Sequence, residues 1–492
     1  MKAIHEVKQT VARPEKVLQF GEGNFLRAFV DWQIDIANEK SGFNGNVVLV
    51  QPLAGGMAAM INDQKGLYTT VLRGIQDGKQ VCDMRAVTSV SRCLNAYEDF
   101  GSYIAYAASA ELRFIVSNTT EAGISYAEGC KLDDEPPASF PAKVTQFLYR
   151  RYQAFKGDLS KGLVVIPCEL IDRNGEKLYE LVLKYSAEWQ LEREFITWLE
   201  KACTFCCSLV DRVVPGYPRT EAEQLCEQLG YKDNLLDAAE IFHLWVIETK
   251  GNIEALKKEF PLEQAGLNVV WTNDMTFYRT RKVRILNGTH TMFVPAAFQF
   301  GLDTVEQSLK NETVYKFIKK GLFEEIIPSM DGDKDALTAY AADVLERFAN
   351  PCIRHMLLDI TLNSTSKFKT RDLPSVTGFI AKTGKTPRTL AFSLAALIAF
   401  YNGKDVKDRA MTGTRNGTPY LIKDDESVLR FFEDLYAKTA CAKEIADAVL
   451  SNTEWWAEDL TKYTEFAQSV TEYLTVIREK GMTEALTAFV NA

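Results

Sequence analysis

With 492 residues, the chain is too long for one ordinary hydrophobic core, so two or three domains are expected. Hydrophobic residues make up 46% of the chain and charged residues 25%, which is typical of folded globular proteins and excludes extended disorder. The net charge of -9 excludes the broad basic surface that nucleic-acid binders usually carry, so no nucleic-acid partner is expected.

The sequence does not predict a membrane protein. The first residues lack the apolar run of a signal peptide, and the longest apolar stretch, residues 389–401, is too short to span a bilayer. The ten cysteines are scattered, which indicates reduced thiols in a cytoplasmic protein. Cys203, Cys206 and Cys207 have a spacing that metal ligands use, but no histidine lies close by in the sequence. Buried thiols are therefore expected there, and no metal site.

The first predicted elements form a strand, a turn, a helix and a second strand. A buried strand at residues 16–20 ends at the glycine turn of residues 21–24, and apolar residues then recur every three or four positions, as in an amphipathic helix. A second apolar strand follows at residues 47–51. This succession is the outline of a βαβ unit.

A hairpin is predicted next. Residues 67–74 and 81–90 flank Asp77-Gly78, a residue pair that favours the tight turn of a β-hairpin. We expect this hairpin to be an insertion beside the parallel sheet.

Two more buried strands are predicted at residues 113–117 and 163–167. Polar loops follow them, at residues 118–123 and 168–175. Ligands of open α/β sheets bind at the carboxyl ends of strands, so both loops are candidate walls of a binding site.

From about Trp271 onward, glycine and β-branched runs become rare and long amphipathic segments dominate. The clearest of these segments are residues 335–348, 427–438 and 457–480. We therefore predict an α/β protein with a Rossmann-like, doubly wound N-terminal domain at residues 1–273, which carries the hairpin insertion. A mainly α-helical C-terminal domain is predicted at residues 274–492.

The glycine turn predicts a dinucleotide site. Gly21 and Gly23 remove side chains where a pyrophosphate would approach the backbone, and the helix N-terminus that follows offers free N–H groups. Leu26 stands where the dinucleotide fingerprint has its third glycine, so the two glycines alone are a weak signal. Their position between a strand and a helix is what indicates a dinucleotide site. The second strand ends at Gln51, and residues 52–56 contain no arginine or lysine for a 2′-phosphate. NAD is therefore expected rather than NADP.

Lys282 lies in a segment suited to proton transfer. Oxidation of an alcohol needs a base for the hydroxyl proton, and a lysine among other cations loses its own proton readily. Three arginines flank this lysine: Arg279, Arg281 and Arg284. On a helix, Lys282, Asn287 and His290 would share one half of the circumference, so Asn287 and His290 could contact the oxygen on which the lysine acts. The competing interpretation is a solvated basic stripe with a capping asparagine.

These motifs resemble those of the mannitol dehydrogenase family, the polyol-specific long-chain dehydrogenases. The resemblance spans nearly the whole chain and follows the family's order, through residues 20–27, 118–123, 168–175, 210–215 and then Lys282 with Asn287 and His290. The last motif is the most specific, and it favours a catalytic Lys282 over a basic stripe.

The resemblance implies roles for individual residues. Lys282 would be the general acid/base of a reaction without a metal, and Asn287 and Asn174 would polarise the reacting oxygen. The loop that contains Asn174 opens with Cys168-Glu169-Leu170 instead of the Cys-Asp-Asn of the mannitol enzymes, and Arg279 replaces an acidic residue of the family. The cofactor residues implied are Gly21, Gly23, Asn24, Phe25, Gln51, Asn118, Thr119 and Glu121.

Within the family, residues 18–31, 166–175 and 392–401 most resemble the branch that interconverts D-tagaturonate and D-altronate with NADH and NAD. Asp211 and Lys367 would then contact this hexuronate or aldonate. The substrate carboxylate needs a cation, and the planar fork of Arg371 suits it best. Reduction of the isomeric D-fructuronate, oxidation of a plain hexitol and a silent dinucleotide-binding sensor are the alternatives. The sequence leaves the oligomeric state open.

Overall fold

The computed structural model of the protein describes residues 1–76, 78–120, 122–352 and 354–492. The chain divides into two compact units, Met1–Met275 and Thr276–Ala492. Each unit has its own secondary structure and buried apolar residues, and the two are described in turn.

The strands of the first unit are β1 (Glu15–Phe20), β2 (Asn46–Gln51), β3 (Tyr68–Gln76), β4 (Lys79–Val87), β5 (Val90–Asn95), β6 (Phe114–Ser117), β7 (Val164–Pro167), β8 (Thr204–Phe205), β9 (Cys207–Asp211), β10 (Asp237–Glu240), β11 (Leu244–Glu248) and β12 (Val269–Thr272). Its α-helices are α1 (Ile4–Val7), α2 (Asn24–Leu26), α3 (Trp32–Lys40), α4 (Ala58–Asp63), α5 (Phe100–Ala105), α6 (Phe140–Ala154), α7 (Asn174–Glu188), α8 (Arg193–Ala202), α9 (Ala222–Leu229) and α10 (Ile253–Glu259). Short 3₁₀ turns lie at Tyr106–Ala108, Leu159–Lys161 and Glu263–Ala265, and a π-helical turn at Arg27–Asp31 joins α2 to α3.

A six-stranded sheet in the order β5-β2-β1-β6-β7-β8 is the centre of the first unit. Every neighbouring pair in it is parallel. Counted along the chain, the order is third, second, first, fourth, fifth, sixth, which is the order of doubly wound dinucleotide-binding folds. The winding reverses between β1 and β6, and such folds bind their ligand at the carboxyl ends of these two strands. The Rossmann-like prediction is confirmed.

Both faces of this sheet are buried. Val17 pairs in register with Phe114, and both belong to one apolar layer. Leu18 pairs with Ile115, and both belong to the layer on the opposite face. Successive residues of a strand point to opposite faces, so a sheet with helices on both sides needs unbroken apolar strands.

The predicted hairpin insertion is present, with one correction. β3 and β4 pair antiparallel from Tyr68 to Gln76, and β10 joins β3 in a three-stranded sheet. Asp77, the predicted turn residue, lies outside the described residues. Residues 81–90 do not form one strand, because β4 ends at Val87 and the N–H of Thr88 donates to Asp35 at 2.7 Å instead of continuing the ladder. Residues 90–95 form β5 of the parallel sheet. A further small sheet has the order β12-β11-β9.

The α-helices of the second unit are α11 (Thr276–Arg281), α12 (Gly288–Phe300), α13 (Val305–Lys310), α14 (Glu312–Lys319), α15 (Ile327–Ser329), α16 (Lys334–Phe348), α17 (Leu357–Ile360), α18 (Ser364–Arg371), α19 (Leu373–Thr383), α20 (Arg388–Phe400), α21 (Glu426–Lys438), α22 (Ala442–Leu450), α23 (Thr453–Trp456), α24 (Thr464–Lys480) and α25 (Met482–Asn491). π-Helical turns lie at Lys282–Asn287 and Lys320–Ile326, and a 3₁₀ turn at Leu460–Lys462. The strands are β13 (Gly403–Lys407), β14 (Ala410–Arg415) and β15 (Thr418–Lys423), which form an antiparallel sheet.

The second unit is mainly helical, as predicted. Its apolar helix α20 is buried along most of its length and packs against α12 and α24. The helix predicted at residues 457–480 begins only at Thr464. Ala457 adopts a left-handed backbone with φ of 63°, a 3₁₀ turn follows at Leu460–Lys462, and Tyr463 has a non-helical ψ of 74°. The sheet formed by β13, β14 and β15 was not predicted.

In the part of the chain that the structure describes, no helix is both long and apolar enough to cross a membrane. The same residues contain no group of three or more His, Cys, Asp or Glu side chains arranged to hold a metal ion.

Candidate active site

The glycine turn lies at the carboxyl end of β1. Gly21 has φ of +116°, which other residues rarely adopt, and a Cβ there would lie 2.9 Å from the carbonyl oxygen of Asn118. A Cβ on Gly23 would meet nothing within 4 Å. Gly23 is exposed and directly precedes α2, so its backbone and the free N–H groups of the helix N-terminus suit a phosphate group.

Asn24 and Phe25 begin the helix that follows this turn. Oδ1 of Asn24 accepts a hydrogen bond from Arg27 at 2.6 Å, and the ring of Phe25 stacks on that of Phe29 with centroids 5.1 Å apart. The buried guanidinium of Arg27 also donates to the carbonyl oxygen of Leu235 at 2.7 Å. Arg27 therefore stiffens the turn from within the unit.

A buried carboxylate organises the second predicted cofactor loop, which follows β6. Glu169 accepts hydrogen bonds from the hydroxyl of Ser117 at 3.0 Å and from the N–H and hydroxyl of Thr119 at 3.0 and 2.9 Å. The side-chain amide of Asn118 donates to the carbonyl oxygen of Cys168 at 3.0 Å. These bonds tie the predicted cofactor residues Asn118 and Thr119 to the end of β7.

Gln51 shapes the loop after β2. Its amide donates to the carbonyl oxygens of Leu53 and Ala54 at 2.8 and 3.0 Å, and its oxygen accepts from the N–H of Ala58 at 3.1 Å. The side chain thus holds the loop of residues 52–58 in place, and its two amide hydrogens are already engaged by that loop. Glu121, also predicted to bind the cofactor, lies outside the described residues.

Asn174 does not have the role predicted for it. Its side chain is fully buried, and its amide donates to the carbonyl oxygens of Pro167, Glu169 and Ser208, each at 3.0 Å. Its oxygen accepts from the N–H groups of Gly175 and Ser208, each at 2.9 Å. Because the backbone engages every donor and acceptor, none is left to polarise a substrate oxygen. The expectation is corrected: Asn174 clamps the ends of β7 and β9.

β9 ends at Asp211, the predicted substrate residue, which is buried. The next residue, Arg212, donates to the carbonyl oxygens of Ala28 at 2.6 Å and Glu240 at 2.9 Å and lies over the ring of Trp32. Burial lowers the pKa of Arg212 to about 9. Arg212 thereby holds the chain after Asp211 against the helix that follows the glycine turn.

The predicted catalytic segment forms the π-helical turn Lys282–Asn287, between α11 and α12. The N–H of Gly288 reaches back to the carbonyl oxygen of Val283, five residues earlier. In an α-helix, Lys282 and Asn287 would be separated by about 140° around the axis. A π turn is closed by hydrogen bonds between residues five apart and winds through a smaller angle per residue, so it reduces this separation. The π turn therefore brings Lys282 and Asn287 closer to one side of the helix, and both are half-buried.

His290 follows on α12. It is 8% exposed, its ring stacks on that of Phe348 with centroids 3.9 Å apart, and His355 meets it edge-on. Its Nε2 atom has no hydrogen-bond partner among the described residues. Burial lowers the pKa of His290 well below its ordinary value, so the ring is neutral. Positive charge acts in the same direction from His355, Arg371, Arg347 and Lys367.

α18 brings the two predicted substrate cations to this helix. Nη1 of Arg371 donates to the hydroxyl of Thr291 at 3.3 Å, and Nζ of Lys367 donates to the carbonyl oxygen of Ile360 at 2.9 Å. Burial lowers the pKa of Lys367 to about 8, and the charge of Arg371 contributes to that shift. The second unit therefore assembles Lys367 and Arg371 close to His290.

Two of the arginines that flank Lys282 have structural contacts. Arg284 donates to the hydroxyls of Ser375 at 2.7 Å and Ser329 at 2.8 Å. Arg281 lies over the ring of Tyr340, 4.2 Å from its centroid. These contacts dock the π turn against the helices around it.

Two family models match this chain in succession. The mannitol dehydrogenase Rossmann domain matches residues 15–259, and the mannitol dehydrogenase C-terminal domain matches residues 274–478. The chain belongs to the mannitol dehydrogenase family. The family resemblance found in the sequence is thereby confirmed.

Relatives of this family member are similar over nearly its whole length. The altronate oxidoreductase of Klebsiella pneumoniae (strain 342) is 46% identical over 478 residues, which is 96% of each chain. The altronate oxidoreductase of Escherichia coli O17:K52:H18 (strain UMN026 / ExPEC) is 45% identical over the same length, again 96% of each chain.

Solved structures show the same fold. A D-sorbitol dehydrogenase in substrate-free form superposes with a TM-score of 0.79 at 22% identity, covering 99% of this chain and 100% of that one. The Pseudomonas fluorescens mannitol 2-dehydrogenase, a ternary complex with NAD and D-mannitol, gives a TM-score of 0.66 at 21% identity, covering 97% and 95%.

Sequence reasoning assigned no individual role to three residues of this mannitol dehydrogenase family member: Glu169, Arg347 and Asp372. The only signal for Glu169 was the unusual opening of its loop. Arg347 lies in an amphipathic helix, where an arginine is unremarkable. Asp372 stands out only as an acid within a basic segment.

Proposed function

We propose that this protein is an NAD-dependent altronate oxidoreductase, which reduces D-tagaturonate to D-altronate and catalyses the reverse oxidation. The observation that carries the proposal is the group of positive charges around His290, on the helix that follows Lys282 and Asn287. A sugar acid requires such charges, whereas an uncharged hexitol does not. The names of the relatives at 46% and 45% identity support the same substrate. We place the reaction in the cytoplasm, with a hexuronate and an aldonate as the small-molecule partners.

The first unit holds the proposed cofactor. When bound, NADH supplies the hydride that adds to the ketone carbon. The exposed backbone at Gly23 would hold its pyrophosphate. Residues 51–56 contain no cation, and the carboxyl group of Glu22 accepts a hydrogen bond from the N–H of Met57 at 3.3 Å beside them. A 2′-phosphate would lose hydration there without gaining a cation, which disfavours NADPH.

Lys282 is the proposed general acid/base. In the direction of reduction, its ammonium group gives a proton to the ketone oxygen as hydride reaches the carbon, so no full alkoxide charge develops. In the direction of oxidation, its neutral amine takes the hydroxyl proton. The amide of Asn287, which is half-buried on the same turn, donates to the same oxygen. Their common side on the π turn supports a shared target.

His290 is proposed to orient the substrate. Because its ring is neutral, it can form a hydrogen bond without adding another positive charge to the site. Its stacking on Phe348 fixes the plane of the ring. His290 therefore orients the substrate through a hydrogen bond, and Lys282 transfers the proton.

The carboxylate of the substrate is assigned to Arg371, with Lys367 as a second cation. The guanidinium is planar and can bind both carboxylate oxygens, and its bond to Thr291 holds it against α12.

A substrate panel tests the proposal. Initial rates are followed by NADH absorbance with D-tagaturonate, D-fructuronate and uncharged ketoses. We expect kcat/KM to be highest with tagaturonate and to fall sharply with the uncharged ketoses. A higher kcat/KM with fructuronate or a ketose would show that this compound, and not tagaturonate, is the substrate. Binding of NADH without turnover of any of these compounds would favour a silent sensor.

A further inference from the structure

A buried acid lies at the junction of α18 and α19. Asp372 is 0% exposed, and neither of its carboxyl oxygens has a hydrogen-bond partner among the described residues. Leaving a buried polar group unpaired destabilises the folded protein. An acid kept in such a position at that cost points to a function.

Asp372 packs directly against the catalytic helix. Its Oδ1 atom lies 2.8 Å from the position that a Cβ on Gly288 would occupy. The next atoms, the carbonyl oxygens of Arg371 and Val283, are each 3.5 Å from that position. Gly288 immediately follows the π turn that carries Lys282 and Asn287. The absence of a side chain at Gly288 therefore makes room for Asp372 in particular.

Two arginines, Arg371 and Arg284, also lie close to Asp372. Arg371 precedes it in the chain, and Arg284 is bonded to Ser375 on the helix that follows it. Burial raises the pKa of Asp372 well above its ordinary value, although the charges of Arg371 and Arg284 act in the opposite direction. Burial therefore favours the uncharged form of this acid, whose carboxyl group fills the space beside Arg371.

We propose that Asp372 is a positioning residue whose carboxyl group sets the separation between the helix carrying Lys282 and Asn287 and the helix carrying Arg371. Asp372 does not touch the reacting atoms. The inference rests on the proposed function, since this separation matters when one sugar acid contacts Asn287 through its ketone oxygen and Arg371 through its carboxylate.

A compensation experiment tests this. Gly288→Ala adds a methyl group where the carboxyl stands, so kcat/KM for tagaturonate should fall by about tenfold or more, as expected for a displacement of reacting groups by a fraction of an ångström. Asp372→Ser removes the carboxyl and should cause a comparable loss. In the double variant the new methyl group takes the vacated space, so kcat/KM should recover to well above that of either single variant.

The conservative variant separates shape from mere stability. Asp372→Asn has nearly the same shape and is always neutral, so it should retain kcat/KM within about threefold. The dissociation constant of NADH should stay unchanged in all variants, because the first unit holds the cofactor. Thermal unfolding is measured for each variant, because alanine in place of a helical glycine by itself favours the helix.

Three results would overturn the inference: full activity of Gly288→Ala, a double variant no better than Gly288→Ala, or an Asp372→Asn enzyme as poor as Asp372→Ser. If the wild type does not turn over tagaturonate, the proposed function fails instead. The same variants are then compared on the best substrate of the panel, which keeps the two failures distinguishable.

Discussion

Replacing Arg371 by leucine is the sharpest test of how the site recognises a sugar acid. The substitution keeps most of the apolar stem and removes the guanidinium. Truncating one partner of a buried charge pair costs about 2–5 kcal/mol. Arg371 is only half-buried and Lys367 remains beside it, so the lower end of this range applies. A loss of about 2 kcal/mol corresponds to a KM for tagaturonate roughly 30-fold higher.

The assay compares tagaturonate with an uncharged ketose in the wild type and in Arg371→Leu. The KM for the ketose and the dissociation constant of NADH should be nearly unchanged, because neither involves the substrate carboxylate. Arg430→Leu is the matched control: Arg430 lies in α21 of the same unit and is exposed, and among the described residues its ion pairs are with Glu426 and Glu433 of its own helix. An exposed pair of this kind contributes at most about 1 kcal/mol to stability.

An unchanged KM for tagaturonate in Arg371→Leu would refute the assignment of the carboxylate. An equal rise in KM for the uncharged ketose would also refute it, because the arginine would then act through packing alone.

The remaining predictions concern the proton, the charge of Lys367, the cofactor and the fold. Lys282→Ala should lower kcat by about 10²–10⁴-fold with little change in NADH binding; near-normal turnover would remove the proposed mechanism. Lys367 is charged below its pKa of about 8 and neutral above it, so KM for tagaturonate should rise as pH increases through 8. Lys367→Arg should abolish that rise, and a rise that persists would assign it to another group. NADPH should give a much lower kcat/KM than NADH. Comparable values would contradict the inference that residues 51–56, which contain no cation, disfavour a 2′-phosphate. Asn174→Ala should lower the free energy of unfolding by about 2 kcal/mol or more, since it leaves buried backbone groups unpaired; an intact unfolding midpoint with reduced kcat would return Asn174 to catalysis.

Local sequence determined much of this protein. The apolar runs at β1, β2, β6 and β7 predicted a parallel sheet, because only a sheet covered on both faces needs strands without polar alternation. Gly21 and Gly23 predicted the cofactor turn, since backbone freedom and the absence of a side chain are properties of single residues. The order of the motifs up to Lys282 indicated the family, which the family models confirmed.

The boundaries of β4 and β5 needed the tertiary structure. β4 ends before Thr88 because the N–H of Thr88 donates to the carboxyl group of Asp35. Asp35 lies far away in the chain, so this hydrogen bond leaves no pattern in the local sequence. The antiparallel sheet of the second unit was missed because its outer strands, β13 and β15, are mostly exposed and polar, so they lack the apolar alternation that identifies a strand.

The roles of the polar residues were also decided by the tertiary structure. Asn174 has the residue type and position of an oxygen-polarising group, but contacts from β7 and β9 consume its amide completely. Lys282 and Asn287 come closer to one side of the helix because a π turn lies between them, which spacing alone does not show. Asp372 matters through its contact with Gly288, more than eighty positions earlier in the chain. Residue type and order set which groups are available, and only long-range packing sets which of them remain free to meet a substrate.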